Sequence, residues 1–319
     1  MVTHPALQAL SGTFSREDLF LVVYCLVDDW MQQRFGSSNA PRQHRGPTAQ
    51  EFSDAEVLTV VLMGELCQCT RERAWLRQVR ASYQALFPKL PEDSRFSRRA
   101  ERARELLRAF REEVLFWADA DLEPLRILDS FPMPLCACYR IRQSGLPLTS
   151  ATFGRNDRKR LYYYGLRPGL LITFSGFIID LILAPGNCNG TRLLANYLDE
   201  CVEREQNVAA QAWVMDKGFR NRTLVAWAKE RLGLTLLPQQ QEPPDAPASF
   251  WQATLQQVRK PIESVISVLA ECFGIEHMLV KTEWGVYRRV QAKATAFSLA
   301  RYFNRVLNLD AMNVARYAV

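Results

Sequence analysis

The sequence predicts an α/β protein in which an all-helical front part, residues 1–118, precedes a mixed-sheet domain with C-terminal helices, residues 119–319. Three observations predict it. Before residue 118 the apolar residues recur at helical spacing between capping and stop signals. From about residue 125 short strand-like runs alternate with helical ones. Within that alternation Ser175-Gly176 joins two apolar runs as a tight hairpin, which makes the sheet mixed.

In chain order, 16–35 is a helix apolar on one face, and 36–50 is a Gly/Ser/Asn/Pro loop. Ser53 caps a second helix, 54–66, with Glu56 at the third position as in a capping box. A third helix covers 71–86 and is stopped by Pro88; Pro91 and Asp93-Ser94 introduce a long fourth helix to about 118. Beyond it, 125–129 is a short strand, 161–174 and 177–184 are the hairpin strands, and 191–204 is a helix. A strand at 211–215, a helix at 221–231 and a strand at 234–237 follow. Residues 238–248, rich in Pro and Gln, read as an exposed loop, and 250–310 as mostly helix. That content is too strand-rich at its centre for a helical bundle.

The composition, 48% hydrophobic and 23% charged, excludes wholesale disorder. The longest apolar runs, 19–27 and 169–179, are closed by Asp28-Asp29 and Asp180, short of the ~18 residues of a membrane span. The first residues carry no basic-then-apolar leader, so a cytoplasmic location is expected. Of the eight cysteines, Cys67/Cys69 and Cys136/Cys138 form C-x-C pairs, tighter than zinc sites use, and His4, His44 and His277 are scattered. The cysteines therefore read as reduced thiols.

The net charge of +6 rests on arginine, 33 against 7 lysines. Arginine forks suit phosphates, although a GC-rich genome produces the same bias. Arg95, Arg98, Arg99 and Arg102 fall at i, i+3, i+4, i+7, on one helical face. The stripe reads as a DNA-facing surface or as a solvated face partly balanced by Glu101 and Glu105. Arg155, Arg158, Lys159 and Arg160, just before the hairpin, pose the same choice.

Three acids sit where chemistry gathers in open α/β sheets. Asp129 and Asp216 end strands, and Glu263 opens a helix beyond the sheet. Singly each reads as a turn or solvated residue, and Asp157, Asp180, Glu271 and Glu276 compete with them. Together, three converging carboxylates would need cations, and hard oxygen donors select Mg²⁺ or Mn²⁺. Two such ions suit phosphodiester chemistry. Glu263 is preferred over Glu271 and Glu276 because Arg259 lies four residues before it.

The segments LDSFPMPLC (128–136), YYYGLRPGLLIT (162–173), VMDKGFRN (214–221), RKPIESVISVLAECFGIE (259–276) and RYFNRVLNL (301–309) resemble the bacterial DDE transposases of insertion sequences, most closely the insertion-sequence family numbered 982. The resemblance covers about 125–310 well and the front part more loosely. It implies an RNase H-like catalytic domain and two-metal cleavage and strand transfer, with Asp129, Asp216 and Glu263 as the acids. Arg259 matches the arginine before the glutamate. Double-stranded DNA (terminal repeats and target) is the implied partner, with a homodimer or larger assembly on a bacterial nucleoid. Arg167, Lys217, Arg259 and Lys260 join the candidate phosphate contacts. Gln256 and Ala270 stand where relatives often carry Tyr and Lys, and Gly165-Leu166-Arg167-Pro168-Gly169 lacks a histidine that close relatives have. Pro261 either opens or kinks the helix of Glu263. A nuclease that cuts without joining, and a DNA-binding repressor made from a defunct transposase, are the competing functions. Tyr162-Tyr163-Tyr164 reads as strand packing.

Overall fold

The computed structural model describes residues 3–36, 52–137, 150–156, 160–239, 250–280 and 282–318. Arg158, Lys159, Asp157, His44, Cys138 and most of the loops 36–50 and 238–248 lie outside them. The described residues divide into two units, one formed by 1–118, 269–280 and 284–319, the other by 119–268 and 281–283.

The first unit is helical: α1 (Arg16–Phe35), α2 (Asp54–Leu66), α3 (Glu72–Ser82), α4 (Asp93–Arg102) and α5 (Arg104–Trp117). Ser15 with Asp18, and Ser53 with Glu56, close the capping boxes of α1 and α2. Ser53→Ala should therefore cost about 1 kcal/mol, read as a lower urea midpoint. The expected third helix ends four residues early, at Ser82. The expected fourth helix is two, broken at Ala103 (φ −78°, ψ 6°). There the Arg104 guanidinium donates to the Glu101 carbonyl (3.0 Å), supplying a partner where the helical ladder stops.

The centre of this unit is the last long helix of the chain. Residues 288–304 of the helix Glu283–Val306 are buried on every side. Its polar groups are paired accordingly. Lys293 donates to Glu65 (2.6 Å) and to the Phe273 carbonyl (2.5 Å). Gln291 accepts from Arg111 (2.6 Å), and Thr295 donates to the Leu107 carbonyl (2.8 Å). These bonds group residues 284–319 with the front helices, whereas the sequence division placed them with the sheet. Burial pushes the Cys67 thiol in this unit up to about 11, which keeps it protonated and unreactive.

The second unit carries a five-stranded mixed sheet of β1 (Leu125–Ser130), β5 (Gly169–Thr173), β6 (Ile178–Ile182), β7 (Ala212–Met215) and β8 (Thr235–Pro238), in the order β6-β5-β1-β7-β8. β1, β7 and β8 are parallel, and β5 is antiparallel to both of its neighbours, β1 and β6. Gly176 (φ 85°) makes the expected hairpin turn between β5 and β6. The helices between strands are α6 (Gly190–Glu203) and α7 (Arg222–Leu232). Leu193, Leu194, Tyr197 and Leu198 of α6 and Ala228 of α7 share a buried cluster with Leu128, Trp213 and Met215 of the sheet.

One expectation fails here. The run 161–174 is not one strand but two, in two sheets. β4 (Leu161–Leu166) belongs to a second sheet, β2-β4-β3, with β2 (Met133–Ala137) and β3 (Thr152–Asn156), neither of which the sequence suggested. The ladder changes sheets at Phe131-Pro132 on one side and Arg167-Pro168 on the other, where proline has no N–H to donate. Glycines make the second sheet possible. A Cβ on Gly165 would stand 2.3 Å from the Met133 carbonyl, and one on Gly154 2.5 Å from that of Gly186.

Candidate active site

Asp129 and Asp216 are brought together by the parallel pairing of β1 and β7. Leu128 is in register with Met215, so the two acids are the next residues on neighbouring strands. Asp129 is fixed further by the Ser130 N–H, which donates to its Oδ1 (2.7 Å). Asp216 opens a short 3₁₀ turn, Lys217–Phe219. That turn lies against the start of α6 so closely that a Cβ on Gly190 would meet the Gly218 carbonyl at 2.6 Å.

A guanidinium spans the two acids. Arg259 Nη2 donates to Asp129 Oδ2 (2.7 Å) and Nη1 to Asp216 Oδ1 (3.3 Å) and Gln239 Oε1 (3.1 Å). Arg259 and Asp129 are 11% and 19% exposed and Asp216 39%, so the contact with Asp129 is the stronger part of the site. Burial raises the Asp129 carboxyl above the usual carboxylate range, with Arg259 and the Ser130 N–H opposing it.

Arg259 reaches this position because the helix breaks there. α8 (Phe250–Val258) stops before it and α9 (Lys260–Glu271) starts after it, with Pro261 in the first turn of α9. Glu263 is exposed in that same first turn. It lines an open cleft with Arg259, Lys260, Gln239, Gln256 and Gln257. Ile262, Val265 and Leu269 form the buried side of α9, as its apolar spacing predicts. Among the described residues no three His, Cys, Asp or Glu side chains stand together closely enough to hold one metal ion. Of the three acids, the fold gathers two and sets Glu263 beside the cation that joins them.

The competing acids are elsewhere. Asp180 is buried in β6, bonded to the Leu181 N–H and 3.4 Å from Arg204, and Glu271 closes α9. Arg167 donates to Ser130 Oγ (3.3 Å), next to Asp129. Lys217, Lys260, Arg155 and Arg160 are exposed, as are Arg95, Arg98 and Arg102 of α4. Arg99 departs from that stripe. It donates to Asp54 Oδ1 (2.6 Å) and the Phe52 carbonyl (2.5 Å), fastening α4 to the start of α2. Gln239 and Ser130 are site residues that sequence reasoning missed. Gln239 sat at the edge of a run read as loop, yet its N–H extends the β7–β8 ladder to Met215 (3.0 Å).

A model of the transposase DDE domain matches residues 121–299, more than half of the chain and all of this site. The chain belongs to that family. It is therefore a DDE transposase, an enzyme of DNA cleavage and transfer whose family works with divalent metal ions. The strand order of the larger sheet and its helices are those of an RNase H-like domain. Among solved structures, a piggyBac transposase synaptic complex with hairpin DNA is similar over 97% of this chain and 79% of that one, at 10% identity and a TM-score of 0.46. No curated protein matches. The transposase's Asp129 and Asp216 fit a divalent cation in donor chemistry, since both are hard carboxylates already arranged about one positive group. No helix among its described residues is long and apolar enough to cross a membrane.

Proposed function

We propose that this transposase is an insertion-sequence enzyme, nearest to the family numbered 982. It cuts DNA at the element ends and joins the freed 3′-OH to target DNA. Asp129, Asp216 and Glu263 are its acids. The observation that carries the reading is the Arg259 guanidinium held between Asp129 and Asp216, which supports reading the adjacent strand ends as a carboxylate pair for a cation. Two Mg²⁺ or Mn²⁺ ions would supply charge stabilisation for the attacking and leaving oxygens of an in-line displacement. The chain itself does the positioning. β1 and β7 set the two aspartates, and the first turn of α9 offers Glu263 from the cleft. Lys217 follows Asp216, Lys260 follows Arg259 and Arg167 bonds Ser130 beside Asp129, where they would take phosphates. Double-stranded DNA is the substrate, and a dimer or larger assembly on the bacterial nucleoid is the working form.

The test is to incubate the protein with the DNA that flanks its gene, add Mn²⁺, and sequence the ends. Cleavage followed by joining supports the reading. Cleavage without joining makes it a nuclease, and binding without either makes it a repressor.

The helical unit supplies a second expected result. Replacing Arg95, Arg98 and Arg102 together by Ala should flatten the salt dependence of DNA binding, by a slope of ~0.9 per lost phosphate contact. Arg99→Ala should instead lower stability and leave the slope alone, because its guanidinium is engaged with Asp54. An unchanged slope in the triple variant would return the stripe to an ordinary solvated face.

A further inference from the structure

We propose that the open face of the three-stranded sheet β2-β4-β3 is a stacking platform for unpaired DNA bases. The proposal rests on the reading of the chain as a DNA-processing transposase. The sequence reads the three tyrosines of β4 as strand packing. Only the middle one is buried. Tyr163 is 4% exposed and its ring lies over Gly154, while Tyr162, on the opposite face, is 69% exposed. Side chains alternate along a strand, so Tyr164 shares the face of Tyr162. The register places Phe153 opposite Tyr164 and Arg155 opposite Tyr162.

The result is a small array of rings and a charge. Phe153, 58% exposed, meets Tyr164 with ring centroids 5.6 Å apart at 70°. The Arg155 guanidinium sits 5.9 Å from the Tyr162 ring centre. Arg160, also exposed, precedes the strand. The Phe153–Tyr164 pair helps hold the two strands together, yet Phe153 and Tyr162 each leave more than half of their surface open to solvent.

The occupant must offer flat apolar surfaces and negative charge. Unpaired nucleotides offer both: bases stack on rings, and phosphates reach the arginines. A second copy of the chain is a poorer match, because a two-fold pairing of this face would bring one arginine-bearing surface against another. Position agrees as well. β4 and β5 are parts of one run of chain, and Asp129 pairs with Leu170, six residues beyond Tyr164. That is at most ~20 Å of extended strand, or about six stacked nucleotides at ~3.4 Å each. A strand opened at the cleaved end can therefore reach the platform.

The experiment uses the full chain, with fluorescein-labelled oligo-dT of twenty nucleotides and a twenty-base-pair duplex as probes. Tyr162→Leu and Phe153→Leu keep an apolar side chain on an exposed position, so the fold is retained. Each should weaken oligo-dT binding about 5- to 100-fold, with the duplex affinity unchanged within twofold. Arg155→Gln should weaken both probes. Equal losses on both probes, or no loss on either, would overturn the platform, as would a wild-type protein that binds no oligo-dT. So would a ring variant that changes only the sedimentation coefficient, since that face would then hold a second copy. End cleavage by the wild type in Mn²⁺ is scored in parallel. Cleavage with unaltered oligo-dT binding in the ring variants sinks the platform and spares the enzyme. Selective loss of oligo-dT binding without wild-type cleavage does the reverse.

Discussion

Asp129→Asn should lower the rate of end cleavage about a thousandfold, the ~4 kcal/mol that a site loses with a principal charge on its cation, while DNA binding stays within twofold. The fold should tolerate the change. Asn keeps an oxygen for the Ser130 N–H, and Arg259 keeps Asp216 and Gln239. The substitution should also alter the pH dependence of stability. Because the folded carboxyl is raised by burial, the folded state binds this proton more tightly than the unfolded one. Its ionisation therefore removes stability as pH rises from the ordinary aspartate range through the raised value. Urea midpoints of the Asn variant should lack that decline. A variant that cuts at the wild-type rate would show that Asp129 is not one of the acids.

Arg259→Gln should destabilise the protein in chelator and make it depend on added cation. Removing one partner of a buried ion pair costs about 3–5 kcal/mol. The 39% exposure of Asp216 lets solvent screen its share, so about 2–3 kcal/mol is expected, or ~5–10 °C in melting temperature. Millimolar Mn²⁺ should restore most of it, since an ion binding only the folded pair adds stability by mass action. Wild-type protein should gain less from Mn²⁺, because there the ion must displace a guanidinium. Calorimetric scans in chelator and in Mn²⁺ decide the matter. Equal shifts in both proteins would mean that Arg259 does not occupy the cation's place.

Much of this architecture was legible from periodicity. The capping box at Ser53, the strand at 125–129 and the alternation beyond 190 all follow from local residue choice. Asp129 and Asp216 were legible because they end strands. The second sheet was not. β2 is interrupted by Pro134 and β3 contains Gly154, both of which weaken a strand signal. What makes them strands is pairing with β4, a tertiary fact. The break between α8 and α9 was half legible, as Pro261 announced an irregularity without its direction. That Arg259 turns onto the acids depends on Gln239 and on the strand register, which no local pattern encodes.

The enclosed stretch 288–304 of the helix Glu283–Val306 has a genetic consequence. Asp129, Asp216 and Glu263, the proposed acids, lie before it in the chain, so a frameshift or stop codon near residue 282 would leave every motif of the sheet intact in the reading frame. Yet it would remove Lys293, Gln291 and Thr295, and with them the bonds that they make to Glu65, Arg111 and the Leu107 carbonyl in the interior. Copies of the gene that erode from the 3′ end would thus keep the appearance of a working enzyme. Their products would fail at folding, and would be cleared by proteolysis instead of persisting as DNA-binding competitors of the intact protein.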